Sequence, residues 1–168
     1  MRRKGKMIER EISSSFLNEV ITIKWYQPEA FTPLENYHLC LMQDGDDYFR
    51  MGRIATISDQ LHEDGEINTT VFVGIHYRDR YDRLDKYHPN GKKHITYTLF
   101  IMEEVLPLLD QELLAKHSAI TKTIIGDSLA GTFALVMALN YPNTFNQVIM
   151  QSPYVDQTII DAVQHAEN

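Results

Sequence analysis

This sequence contains a single cysteine and no long apolar run. Its one cysteine, Cys40, lies in a short apolar run, so it can form no internal disulfide and we expect it in the core. No run approaches the roughly 20 apolar residues that a membrane-spanning helix needs. The charged start, residues 1–6, is followed by acidic and basic residues rather than by the apolar segment of a signal peptide. We therefore expect a soluble, cytoplasmic protein that does not bind a membrane.

Positive charge is also scarce. Lys and Arg number 16 against 23 Asp and Glu, and the net charge of −7 argues against a nucleic-acid partner, which would need a basic face. The sequence contains no metal-ligand spacing and no glycine-rich phosphate loop, so we expect neither a metal nor another cofactor. An apolar fraction of 43% over 168 residues is enough to bury a core. We expect residues 1–168 to form a single domain.

The stretch 121–136 carries the clearest functional signal. A β-branched run stops at Gly126, and an apolar pattern at helical spacing begins directly after Ser128. A strand, a tight turn with a serine and a helix form the context in which Gly-x-Ser-x-Gly indicates a nucleophile elbow, with the serine in a strained backbone conformation. Ala130 replaces the second glycine here and keeps the volume small. The alternative is an ordinary turn in which Ser128 or Asp127 caps the helix.

Patterns typical of strands and helices alternate on both sides of this turn. The pattern predicts strands at 8–13, 19–26, 37–42, 69–75, 121–125 and 145–150. It predicts helices at 51–61, at 96–116, directly after Ser128, and at 156–165, and a long polar loop at 76–94. Pro107 lies inside the helix 96–116, so we expect a kink there or two consecutive helical segments. Such an order indicates an α/β domain with a mostly parallel sheet and helices on both faces.

Several short segments follow one another along this sequence in a characteristic order. They are Leu41-Met-Gln-Asp-Gly45, Phe72-Val-Gly-Ile75, Glu103-Glu-Val-Leu-Pro-Leu-Leu-Asp110, Gly126-Asp-Ser-Leu-Ala-Gly131, and Tyr141-Pro-Asn-Thr-Phe145 leading into Val148-Ile-Met-Gln-Ser-Pro153. In order and spacing they resemble the Putative esterase family of the α/β-hydrolases, which includes enterochelin-esterase-like and esterase-D-like enzymes. The resemblance covers about residues 7–155.

The resemblance implies a serine esterase that hydrolyses small carboxylic or siderophore-type esters. Ser128 would attack the ester carbonyl and form an acyl-enzyme that water then cleaves. The oxyanion would be bound by the backbone N–H of Leu129 and by one from the loop Asp44-Gly45-Asp46, which follows the third strand. We expect the two acidic side chains of that loop to point away from the oxyanion. The alternative for this loop is an ordinary Asp-Gly turn.

The acid and the histidine that a serine nucleophile needs are hard to find after Ser128. The family has two further strands there, and the sequence shows none, so we expect a hydrolase domain that lacks its last strands. Asp156 is a candidate acid, in the loop after the strand that follows the turn; a solvated loop residue is the alternative. The candidate bases are His76, His88, His94 and His165, for each of which an ordinary surface histidine is the simpler interpretation.

The long polar loop carries cations interleaved with acids. Arg78 and Arg80 are candidates for binding a substrate, while a solvated, self-paired loop is the alternative.

The strand at 145–150 would be an uncovered apolar edge, and we expect homodimers to form through it. Two other functions remain open besides the esterase: a catalytically incomplete remnant that binds a ligand or partner in the same cleft, and a fragment without a function of its own.

Overall fold

A computed structural model describes residues 3–166, in which six strands form one sheet in the order β1-β2-β4-β3-β5-β6. The strands are β1 (Lys6–Ser14), β2 (Glu19–Gln27), β3 (His38–Met42), β4 (Thr70–Ile75), β5 (Thr121–Asp127) and β6 (Gln147–Gln151). The first two strands pair antiparallel with each other, and β2 pairs antiparallel with β4. The pairs β3–β4, β3–β5 and β5–β6 are parallel. The predicted α/β class with a mostly parallel sheet is confirmed.

Residues 3–166 contain seven α-helices, six between strands and one after β6. They are α1 (Gly45–Arg50), α2 (Ile54–Glu63), α3 (Arg80–Tyr87), α4 (His94–Phe100), α5 (Leu106–Leu113), α6 (Leu129–Asn140) and α7 (Gln157–Ala166). Apolar side chains of α4, α5 and α6 pack on one face of the sheet in the larger cluster of buried residues. A smaller cluster joins Phe49 of α1 and Ala55 of α2 to Cys40 and Met42 on the other face. Cys40 is buried, as predicted.

The helix boundaries correct the sequence prediction in two places. The predicted helix 51–61 is preceded by a separate helix, α1, and a left-handed Arg53 (φ 51°) separates α1 from α2. The predicted loop 76–94 contains α3. The expected division of the helix 96–116 is confirmed, since α4 and α5 are joined by a π-helical turn, Ile101–Val105, that ends two residues before Pro107. Residues 3–166 include no helix long and apolar enough to cross a membrane.

A buried ionic cluster ties α3 to the start of β2. Lys86 is 2% exposed, and its Nζ lies 3.0 Å from Asp82 Oδ2 and 2.5 Å from Glu19 Oε1. Lys93 and Arg78 approach the same Glu19 carboxylate at 2.9 and 3.5 Å. Buried charges are tolerated only when they are paired in this way. The cluster therefore fixes where α3 lies over the sheet, and it is one reason why a polar sequence folds as a helix here.

Candidate active site

Ser128 occupies a sharp turn between β5 and α6. Its backbone has φ 56° and ψ −121°, a conformation that L residues rarely adopt, and the residue is exposed. The turn is tight because β5 and α6 approach closely at Gly126, where a β-carbon would lie 2.3 Å from the backbone of Ala130. The small residues that the sequence places two before and two after Ser128 are therefore a steric requirement of this turn.

Backbone hydrogen bonds hold this turn in place. The Ser128 N–H donates to the carbonyl of Gln151 at the end of β6 (2.8 Å), and the Ser128 carbonyl accepts from Gly131 and Thr132 in α6 and from Tyr154 (3.3 Å). Leu129 is the first residue of α6, so its N–H has no acceptor within the helix. Such an N–H, at the positive end of a helix dipole, is suited to bind a developing negative charge.

A second strand-to-helix turn lies beside the first. Asp44 joins β3 to α1 with a left-handed backbone (φ 55°, ψ 42°), and Gly45 begins the helix. Because β3 and β5 are adjacent parallel strands with Met42 opposite Ile125, both turns lie at the carboxyl edge of the sheet. The start of α1 presses against β4, since a β-carbon on Gly45 would lie 2.3 Å from the Cα of Gly74. Gly45 and Asp46 thus belong to the first turn of a helix, not to the loop expected from the sequence.

The Asp44 side chain is buried and paired with Arg83 of α3. Two hydrogen bonds, 2.9 Å from Nε and 2.6 Å from Nη2, join the guanidinium to its two carboxylate oxygens. Burial raises the pKa of the Asp44 carboxyl, and the contact with Arg83 opposes that rise. Arg83 Nη2 also donates to the carbonyl of Asp127 (3.4 Å), and the Tyr87 hydroxyl accepts from the Asp44 N–H (3.3 Å). One helix therefore contacts both turns.

The remaining acid of the predicted oxyanion segment is also neutralised. Asp46 lies 2.9 Å from Lys24 Nζ through one carboxylate oxygen and 2.9 Å from His76 Nδ1 through the other. Its pKa is lowered: burial would raise it, but the contacts with Lys24 and His76 outweigh that effect.

A cavity of about 450 Å³ opens between α1 and the ends of β5 and β6. Its lining consists of Asp44, Asp47, Tyr48, Met51, Gly52, Asp127, Gln151 and Ser152. Asp127 directly precedes Ser128, and the Tyr48 hydroxyl donates to the side-chain carbonyl of Gln151 across the cavity. Another cavity, of about 330 Å³ between the N-terminal segment and α2, is lined by none of the predicted site residues.

The candidate acid Asp156 contacts one of the candidate bases, His88. His88 Nε2 is 3.8 Å from Asp156 Oδ2, and His88 Nδ1 accepts a hydrogen bond from the Asn90 N–H (3.0 Å). With Nδ1 acting as an acceptor, the neutral ring carries its proton on Nε2, facing the carboxylate. Nδ1 is therefore occupied by a backbone N–H, while Nε2 faces the carboxylate at a distance too long for a hydrogen bond. Asp156 also caps α7 by accepting from the Ile159 N–H (3.2 Å).

The other three candidate bases lie elsewhere. His76 contacts Asp46, while His165 on α7 contacts the carbonyl of Asp161 (2.6 Å). His94 is buried against Phe133, with Nδ1 3.2 Å from the carbonyl of Lys86, and burial lowers its pKa. Within residues 3–166, none of the histidines is hydrogen-bonded to the Ser128 hydroxyl.

The two arginines predicted to bind a substrate are engaged with their own segment. Arg78 pairs with Asp82 (3.3 Å) and Glu19, and Arg80 stacks on the ring of Tyr81, with Nη2 2.8 Å from its hydroxyl. It is Arg83 that reaches the two turns, a choice that charge patterning alone did not indicate. Arg80 and Arg83 lie three residues apart in α3, on the same side of the helix, so helical spacing alone would not have separated them.

Comparison with known proteins gives a consistent assignment. The family described as Putative esterase matches residues 14–165. The chain belongs to this family. It is 40% identical over 166 residues to the Bacillus subtilis protein YjcH, an alignment that covers 99% of this chain and 69% of YjcH. The predicted resemblance is therefore confirmed.

Solved structures share the fold. The Bacillus cereus BES protein aligns with a TM-score of 0.81 at 18% identity, over 96% of this chain and 67% of that one. The enterochelin esterase of Shigella flexneri aligns with a TM-score of 0.75 at 20% identity, over 89% of this chain and 36% of that one. This chain thus spans well under half of the Shigella enzyme. At these identities the likeness shows a common α/β-hydrolase-type fold.

Proposed function

We propose that this chain is a serine esterase-type hydrolase acting on small carboxylic esters, with Ser128 as its nucleophile. The observation that carries the proposal is the backbone of Ser128, held at φ 56° and ψ −121° in an exposed turn directly before a helix. Strain of this kind is costly, and it persists where the surrounding structure enforces it, typically at functional sites. A serine that only capped the helix would need no such conformation.

The chemistry follows from the position of the serine. Its Oγ would attack the ester carbonyl carbon while its proton passes to a base, and the carbonyl electron pair would move onto oxygen. Collapse of this intermediate would expel the alcohol and leave an acyl-serine, which water would cleave to the acid and free serine. The N–H of Leu129 and one N–H from the first turn of α1, at Gly45 or Asp46, would bind the oxyanion. One such donor is worth about 3 to 4 kcal/mol in the transition state.

The Asp44–Arg83 pair supports this arrangement. An unpaired carboxylate next to an oxyanion would oppose it, whereas a carboxylate bound through two hydrogen bonds by a guanidinium has its charge balanced. Through the same pair, α3 holds the turn that presents the α1 N–H groups.

A siderophore-type ester is our proposed substrate class. Structural neighbours of this chain include an enterobactin esterase from Shigella flexneri whose structure was determined in the presence of 2,3-dihydroxy-N-benzoyl-serine. The nearby cavity, lined by Tyr48, Asp44, Asp47 and Asp127, suits a neutral aromatic ester better than an anion. Arg78 and Arg80 would take part only if a substrate displaced their present partners.

A second candidate function rests on the histidines. The four candidate bases are engaged elsewhere in residues 3–166, which favours a site that binds an ester or its acid without turning it over. In that case the cavity beside Ser128 would act as a binding site.

The deciding experiment measures hydrolysis of p-nitrophenyl acetate and butyrate by the wild type, Ser128→Ala and Ser118→Ala. Ser118 is an exposed serine in the loop before β5, at the opposite end of that strand, and serves as the matched control. Turnover that disappears only in Ser128→Ala supports the esterase. Equal turnover in the wild type and Ser128→Ala excludes Ser128 as nucleophile. Silence in all three, together with calorimetric binding of the neutral methyl ester of 2,3-dihydroxy-N-benzoyl-serine, supports the second candidate.

A further inference from the structure

Two tyrosine hydroxyls reach consecutive residues at the carboxyl end of β3. The Tyr97 hydroxyl, on α4, donates to the side-chain carbonyl of Gln43 (2.5 Å). The Tyr87 hydroxyl, on α3, accepts from the backbone N–H of Asp44 (3.3 Å). These four residues are each at most 3% exposed. Because buried polar groups need a partner, the two contacts constrain where the end of β3 lies in the core.

Burial also keeps both hydroxyls in the neutral form, which can donate as well as accept. It raises the pKa of Tyr87 and of Tyr97 well above the ordinary value of 10.0. The Tyr87 hydroxyl contacts the Asp44 carboxyl as well, where it joins Arg83 in opposing the rise in pKa that burial causes. One hydroxyl therefore contacts both the backbone and the side chain of the residue that forms the left-handed turn.

Phe133 of α6 fixes the rings that carry these hydroxyls. Its ring centroid lies 5.6 Å from that of Tyr87 and 5.1 Å from that of Tyr97, and the two tyrosine rings are 5.7 Å apart. These are distances of favourable aromatic pairs. Phe133 is fully buried in the second turn of the helix that begins directly after Ser128. A continuous series of contacts therefore joins the helix of the Ser128 turn to the end of β3.

We propose that Tyr87 and Tyr97 are positioning residues that set the Asp44 turn, and with it the N–H groups at the start of α1, relative to Ser128. The inference rests on the proposed function, in which one of these N–H groups binds the oxyanion. Such a donor acts only when it lies roughly 2.7–3.1 Å from the developing charge, so a small displacement of the turn lowers the rate. Neither tyrosine lines the cavity beside Ser128, so both act through the turn and not on a substrate.

The experiment compares Tyr87→Phe, Tyr97→Phe and Tyr37→Phe by amide NMR and by hydrolysis of p-nitrophenyl acetate. Phenylalanine removes the hydroxyl and keeps the ring. Tyr37 is the matched control, because it is 2% exposed in the same core cluster but directly precedes the opposite end of β3. The amide signals of residues 44–46 are expected to shift in the two test variants and not in the control. Hydrogen exchange of the Asp44 N–H should accelerate about tenfold in Tyr87→Phe, which corresponds to the loss of one hydrogen bond.

The kinetic readout separates positioning from a general loss of stability. In Tyr87→Phe and Tyr97→Phe we expect kcat to fall about tenfold and KM to change less than about twofold, because only the transition state engages the displaced donor. Tyr37→Phe should keep the wild-type values. Combining Tyr97→Phe with Gln43→Met removes both partners of that hydrogen bond. Stability to urea should then recover toward the wild type while kcat stays low.

Three results would overturn the proposal. They are unchanged amide signals of residues 44–46 in both test variants, equally large shifts in Tyr37→Phe, and a kcat that recovers together with stability in the double variant. Failure of the proposed function gives a different pattern. A wild type without turnover, or turnover that persists in Ser128→Ala, contradicts the esterase, while the amide signals still decide whether the two hydroxyls hold the turn.

Discussion

The two turns at the carboxyl edge of the sheet hold a non-glycine residue at positive φ by different means. At Ser128 the steric support is local, since Gly126 and Ala130 allow β5 and α6 to meet, and backbone hydrogen bonds with Gln151 and Tyr154 complete the turn. At Asp44 the support is an ion pair with Arg83, 39 residues further along the chain. The stability of the Ser128 turn therefore depends on backbone packing, whereas the stability of the Asp44 turn depends on the charges of a side-chain pair and so on pH.

The largest loss in the free energy of unfolding is expected when the close packing of β5 and α6 beside Ser128 is disrupted. In Gly126→Ala the new β-carbon would collide with the backbone of Ala130, and neither segment can move without disturbing the sheet. We expect a loss of about 3 kcal/mol in the free energy of unfolding. Urea denaturation followed by circular dichroism measures it.

Gly65→Ala is the matched control for that variant. Gly65 has φ 71° but no atom within 4 Å of its β-carbon position, so alanine there meets backbone strain and no clash. We expect a loss of about 1 kcal/mol. Equal losses in the two variants would contradict the claim that close packing of β5 and α6 determines the Ser128 turn.

Removing the Asp44–Arg83 ion pair should lower the free energy of unfolding by somewhat less. Arg83→Met leaves the buried Asp44 carboxylate without its partner, and part of the guanidinium is exposed in the wild type. We expect a loss of about 2 kcal/mol at pH 7. In the double variant with Asp44→Asn much of this loss should be recovered, because no charge is then left unpaired. A double variant as unstable as the sum of the two single ones would show that the pair does not support the turn.

The stability of Arg83→Met should also depend on pH, unlike that of Gly126→Ala. The pKa of Asp44 is raised above 3.8 by burial, and removal of Arg83 raises it further. An acid with a raised pKa binds protons more tightly in the folded state, so stability falls as pH rises through the window from 3.8 to the folded pKa. The deficit of Arg83→Met should therefore shrink as the pH is lowered from 7 toward 3.8. Gly126→Ala should show the same deficit across this range.

The smallest effect is expected from the cap of the helix that carries Arg83. The Asp79 carboxylate accepts from the N–H groups of Tyr81 and Asp82, both at 2.9 Å, and so begins α3. Asp79→Ala should lower the free energy of unfolding by about 1 kcal/mol, and Asp79→Ser should recover part of it. Thermal unfolding of the three proteins measures this series. A loss in Asp79→Ala as large as that of Arg83→Met would mean that the helix start, not the ion pair, determines the position of α3.

The sequence by itself determined the elements whose signal is local. Short apolar or β-branched runs predicted all six strands to within two residues at each end. The prediction was clearest for β4, because a strand covered on both faces needs a continuous apolar stretch. The strand, small residues and apolar helix around Ser128 predicted its turn, since all of its steric requirements lie between Gly126 and Ala130. The order of these segments was also enough to indicate the family.

Only the tertiary structure decided the elements whose stability comes from distant partners. Helix α3 is a polar sequence whose Asp82 and Lys86 become buried because Glu19, far away in the chain, completes their charge pairing. The same holds for the support of Asp44, for the contact of His88 with Asp156, and for the choice of Arg83 over Arg78 and Arg80. Hydrophobic periodicity predicts which side chains are buried, but it does not predict which charged side chains pair with each other. The partners of each ion pair are determined only by the folded structure, in which the sheet brings distant parts of the chain together.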